Sequence, residues 1–136
     1  MARRLDDRNT VGDVAHLFAY GTLLPGQTRW HFLEPFVLDH GIDDRVDGTL
    51  YDTGLGYPAA RFGTGGTIIG RIFEFDPARH DEGLVVLDEV EGAVQGLYHR
   101  VEVRTANGHA AWAYSYGGGL ELDVIEHGSW VRHTNP

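Results

Sequence analysis

The chain opens its patterned region with "HLFAY" (16–20), a short apolar run of the kind that forms a strand buried on both faces. "RVDGTLYDT" (45–53) alternates instead. Val46, Gly48 and Leu50 fall on one side, with Asp47, Thr49 and Tyr51 on the other, so a strand is expected. "YPAAR" (57–61) reads as a short extended piece. "TGG" (64–66) reads as a hairpin turn before "TIIGRIFEFD" (67–76), a strand rich in β-branched and aromatic residues. "LYHRVEVRT" (97–105) alternates strictly, and "NG" (107–108) predicts a tight turn into its partner "HAAWAYSY" (109–116).

Helical signals are fewer. "TRWHFLEPF" (28–36) holds one or two turns stopped by Pro35. The principal helix is expected over 78–92, with Asp76 as N-cap, Pro77 at its first position and Gly92 at its end. Residues 1–14 read as a polar tail, 15–120 as one domain, and 121–136 as a C-terminal extension with a helical turn. Antiparallel strands with one main helix indicate an α+β fold.

The chain has 136 residues and a net charge of −9, from 20 acidic and 11 basic residues. That balance argues against nucleic acid and anionic membranes as partners. All the basic residues are arginine and cysteine is absent, so lysine Schiff bases, thiolate nucleophiles and disulfides are excluded. Ser115 and Ser129 both lie outside any nucleophile-elbow motif. No apolar run is long enough to span a bilayer, and "MARRLDDRNT" lacks a signal-peptide core, so a cytoplasmic location is expected. The histidines form no metal-binding motif, and neither metal nor cofactor is expected. "GTGGTIIG" (63–70) matches no phosphate-loop pattern.

Two features stand out chemically. On the helix wheel Leu84, Leu87 and Val90 share a face, and Glu91 falls inside that stripe, four residues after Leu87 and seven after Leu84. Burial there, with the negative end of the helix dipole, raises a carboxyl pKa toward the range a general acid/base needs. The alternative is a Glu91 exposed at a fraying end, or paired with Arg100 or Arg104. The second feature is "YGTLLPG" (20–26). It is either a strand-to-loop turn in which Gly21 and Gly26 supply unusual dihedrals, or a nest of backbone N–H groups that binds an anion. Trp112, Tyr114 and Tyr116 share one strand face, as core or as pocket lining.

In this order, "FAYGTLLPG", "VDGTLYDTGLGYPAAR", "IIGRIFEFD", "LDEVEGAVQGLYHRVEVRT" and "AWAYSY" resemble the motifs of the γ-glutamylcyclotransferase-like family. That family includes AIG2-like proteins and γ-glutamylamine cyclotransferases. The resemblance spans residues 16 to 116 and implies a small mixed, mainly antiparallel β-barrel with one principal helix packed against it. It implies a small-molecule γ-glutamyl substrate whose own α-amine attacks its γ-amide carbonyl, releasing 5-oxoproline and an amine or amino acid. Glu91 matches the motif glutamate and would be the general acid/base. The loop Tyr20, Gly21, Thr22 and Leu23 would bind substrate through backbone N–H groups, with Tyr20 and Tyr98 lining the pocket, with or without a hydroxyl on the substrate. "AVQG" (93–96) and the C-terminal segment would select the leaving group. A non-catalytic binding module using the same pocket is the alternative implied.

Overall fold

The computed structural model describes residues 14–135; the polar segment 1–13 and Pro136 lie outside the described residues. One six-stranded sheet organises the chain, in the order β4-β5-β1-β3-β2-β6. Its strands are β1 (His16–Ala19), β2 (Ile42–Asp52), β3 (Pro58–Glu74), β4 (His99–Arg104), β5 (Ala110–Ser115) and β6 (Asp123–Val124). Among the described strands, only β1 and β5 are paired in parallel, and the other pairings are antiparallel. The principal helix α2 spans His80–Gly92, and α1 (Trp30–Leu33) and α3 (Trp130–Thr134) are short. The fold is therefore α+β.

The apolar run of β1 follows from its inner position. Leu17 and Ala19 enter one core cluster with Leu33, Phe36, Phe73, Leu87 and Tyr114. Phe18 and Tyr20 enter a second cluster, with Val46, Leu50, Ile68, Ile125 and Trp130. A strand buried on both faces has no position for a polar residue. The sheet is curled, with β4 and β6 as its edges. The tip of the β4–β5 hairpin reaches across to β2, where Ala106 N–H donates to Arg45 O at 2.8 Å and Asn107 N–H to Asp44 Oδ1 at 3.2 Å. The barrel expectation is met as this open half-barrel.

The expected turn at 64–66 is not a hairpin. Residues 58–62 and 67–72 both pair with the same strand, β2, on either side of a register shift at Asp47/Gly48. Residues 63–66 are thus a bulge within β3, with Gly63 and Gly65 at φ of 78° and 97°. Asp47 Oδ1 accepts the Gly65 N–H at 2.8 Å and holds it. Turn chemistry is correctly read here, but a bulge draws on the same residues as a hairpin.

Helix α2 starts two residues later than expected. Asp76 caps a preceding turn by accepting the Ala78 N–H at 2.9 Å, while Arg79 stands at the N-cap. Pro35 does not stop the first helical segment; it sits in a 3₁₀ turn, Glu34–Phe36, that continues it. The C-terminal residues are integrated into the fold. Strand β6 pairs with Tyr51 and Asp52, Ile125 and Trp130 are buried, and Ser129 caps α3 by accepting the Arg132 N–H. No helix of the described residues is long and apolar enough to cross a membrane.

Candidate active site

Strand β1 ends at Ala19, between β5 and β3. Past that point the two neighbours bond directly, through Tyr116 N–H to Ala60 O at 2.9 Å. The chain leaving β1 turns out of the sheet there, and residues 20–23 form one wall of a recess. The other walls include Arg29, Tyr57, Pro58, Glu91, Val94, Tyr98 and Tyr114. All six residues expected at a site, Tyr20, Gly21, Thr22, Leu23, Glu91 and Tyr98, are brought to this recess.

The loop is tied by its carbonyls. Gly21 O accepts Leu24 N–H at 3.1 Å and Thr22 O accepts Arg29 N–H at 2.8 Å. Among the described residues, the N–H groups of Gly21, Thr22 and Leu23 have no backbone acceptor. Buried amide donors rarely go unpaired, and three in succession beside a recess are hydrogen-bonding capacity of the kind an anion or oxyanion can use. Gly21 does not earn its place by an unusual dihedral, since of the loop's two glycines only Gly26 has positive φ. A Cβ at position 21 would lie 2.5 Å from Pro58 Cγ, so the requirement is steric.

Glu91 stands in the last turn of α2, and the helix is fixed to the sheet one turn earlier. Asp88 accepts the Tyr114 hydroxyl at 2.7 Å and two donors of Arg100, at 2.9 and 3.2 Å. Arg100 also lies over the Trp112 ring, 4.3 Å from its centroid. Arg100 is therefore taken by Asp88, and Arg104 donates to Gly108 O, so neither neutralises Glu91. Burial pushes the Glu91 carboxyl up to about 7, against a downward pull from the Arg29 charge. At that value both protonation states are populated at neutral pH.

The tyrosines frame the carboxyl and do not present free hydroxyls. Tyr20 donates to Tyr114 O at 2.5 Å, Tyr98 to Pro58 O at 2.7 Å and Tyr57 to Gln95 O at 3.0 Å. Burial and the nearby Glu91 charge raise the Tyr20 and Tyr98 phenols far above neutral, so both stay protonated. Of segment 93–96, Val94 lines the recess, while residues 120–135 contribute nothing to its lining.

Arg29 is the charged residue that sequence reasoning misses. Its guanidinium donates to Thr22 Oγ1 at 2.8 Å and lies 5.3 Å from the Tyr57 ring centroid. Its place depends on how residues 20–29 fold back, and no local spacing marks it. Among the described residues, no group of three or more histidine or acidic side chains is placed to hold a metal ion.

The sequence profile of the family described as "Gamma-glutamyl cyclotransferase, AIG2-like" matches residues 17–132. "Putative gamma-glutamylcyclotransferase BH1612" of Halalkalibacterium halodurans is 33% identical over 96 residues, covering 65% of this chain and 83% of that protein. Among solved structures, protein ytfP of Escherichia coli is 31% identical with a TM-score of 0.55, covering 88% of this chain and 98% of that one. Protein PH0828 of Pyrococcus horikoshii shares the fold, with a TM-score of 0.63 at 23% identity, covering 89% of this chain and 95% of that one.

Proposed function

The chain belongs to the gamma-glutamyl cyclotransferase, AIG2-like family, and on that premise we propose that it is an enzyme cyclising a γ-glutamyl compound to 5-oxoproline. The observation that carries this reading is one juxtaposition. An upshifted carboxyl, Glu91, lines the same recess as Gly21, Thr22 and Leu23, whose three amide donors have no acceptor among the described residues.

The reaction asks for no nucleophile from the protein. The substrate's neutral α-amine attacks its own γ-amide carbonyl, closing a five-membered ring, and the C–N bond to the leaving group breaks. The ring nitrogen gives up a proton to the Glu91 carboxylate. The Glu91 carboxylic acid then delivers that proton to the departing nitrogen, which leaves as a free amine or amino acid. No water is consumed and no covalent enzyme intermediate forms. A group with a pKa near 7 serves both steps, since it is neither too weak a base nor too weak an acid.

The amide donors of the loop bind either the substrate's α-carboxylate or the oxyanion that develops on the attacked carbonyl. The fixed tyrosines shape the walls so that amine and carbonyl are held together, and the intramolecular attack gains from that confinement. The test is a panel of γ-glutamyl amino acids and γ-glutamyl amines, with 5-oxoproline as the measured product. Release from at least one member supports an enzyme. Tight binding with no product from any member points to a non-catalytic binding module on the same pocket.

A further inference from the structure

Among the described residues, Arg29 leaves most of its hydrogen-bonding capacity unused. The residue lines the recess and is half-buried. One nitrogen donates to Thr22 Oγ1, the face lies over Tyr57, and the backbone N–H is locked to Thr22 O. These contacts hold the guanidinium in place while using one of its five donors. Arg71, Arg79 and Arg100 each lie against a carboxylate, at 3.3, 3.1 and 2.9 Å. Arg29 has no such partner among the described residues, in a chain where acidic residues outnumber basic ones 20 to 11. Glu91 lines the same recess without forming an ion pair with it and feels its charge only through space. A pre-positioned planar cation with open donors, partly withdrawn from water, is complementary to a carboxylate.

We infer that Arg29 is the carboxylate-recognising residue of this pocket, with Thr22 and Tyr57 as the residues that aim it. The inference rests on the reading of the recess as a γ-glutamyl site. Such a compound offers a carboxylate from two sources: the α-carbon of the glutamyl unit, or an amino acid as leaving group.

Four amides separate them. γ-Glutamylalanine carries both carboxylates, and γ-glutamylethylamide only the α-carboxylate. 4-Aminobutanoylalanine carries only that of the leaving group, and 4-aminobutanoylethylamide neither. All four retain the amine and carbonyl needed to close a five-membered lactam. Each is assayed with wild type, Arg29→Gln and Arg29→Lys. On substrates with the recognised carboxylate, Arg29→Gln raises KM by about 10- to 100-fold with little change in kcat, as expected for a lost charge-assisted pair. On the matched compound lacking that carboxylate the two enzymes are alike, and Arg29→Lys recovers part of the loss. The pair of substrates between which the penalty disappears identifies the source.

A penalty equal on all four substrates overturns the inference, because it reflects a structural role for Arg29. If none of the four is cyclised, the proposed reaction fails, and binding decides the inference independently. 5-Oxoproline is then titrated against 2-pyrrolidinone, and alanine against ethylamine, by calorimetry. A wild-type preference for the carboxylate-bearing member that Arg29→Gln abolishes sustains the inference. Absence of that preference overturns it.

Discussion

Asp88 on α2 accepts the phenolic proton of Tyr114 on β5 at 2.7 Å, and this bond sets where Glu91 stands. Glu91 follows Asp88 by three positions, slightly less than one helical turn. The same carboxylate receives Arg100 through two donors, so helix, strand β5 and strand β4 are joined at one point. Asp88→Ala removes the clamp and leaves the Tyr114 hydroxyl and the Arg100 guanidinium without their acceptor. The expected cost is about 1–3 kcal/mol, read by chemical denaturation. Turnover is expected to fall by about tenfold or more, because the carboxyl of Glu91 loses its fixed position.

Gly21→Ala tests the steric account of the loop. The added methyl would meet the Pro58 ring at 2.5 Å and has to push either the loop or β3 aside. Overpacking of this kind costs about 1–3 kcal/mol. It also displaces the unpaired amides, so ligand affinity is expected to drop together with stability. Gly26→Ala lies in open space and disturbs only the positive φ, so it is expected to lower stability and spare the pocket.

Tyr98→Phe and Tyr20→Phe separate framing from chemistry. Both hydroxyls donate to backbone carbonyls, at Pro58 and Tyr114 respectively. Each substitution is expected to lower stability by about 1 kcal/mol through the lost buried bond. Turnover is expected to change by less than about tenfold. A loss of several orders of magnitude in either variant would mean that the hydroxyl acts on the substrate directly.

The Glu91 shift has a thermodynamic signature that needs no substrate. A carboxyl whose folded pKa, about 7, lies above its ordinary value of 4.5 binds protons more tightly when folded. Its contribution to stability is fully present below pH 4.5 and is lost as pH rises toward 7. Relative to Glu91→Gln, wild type is therefore expected to lose up to about 3 kcal/mol between pH 4 and pH 8. Denaturation of both proteins across that range checks it. A difference that does not change with pH would place the carboxyl in water.

What the chain discloses about itself depends on how local each signal is. Glu91 is legible because a carboxylate in the Leu84–Leu87 stripe breaks the helical pattern within two turns. The strands of "HLFAY" and of 97–116 are legible because alternation and an Asn-Gly turn are local. The continuity of β3 is not, since a bulge and a hairpin use the same glycines and only the register with β2 distinguishes them. The integration of the C-terminal residues escapes as well, because Trp130 and Ile125 lie among polar neighbours in sequence yet are buried by distant strands. Arg29 escapes for a related reason: its partners Thr22 and Tyr57 meet it only once the loop and β3 are assembled.

The most direct measurement compares 5-oxoproline formation by wild type and Glu91→Gln on a γ-glutamyl substrate, with ligand binding followed in parallel. Glutamine keeps the size of the side chain and removes its ability to carry a proton. If Glu91 carries the proton, kcat falls by at least about 1000-fold with binding retained. A Glu91→Gln enzyme that turns over as fast as wild type would contradict it.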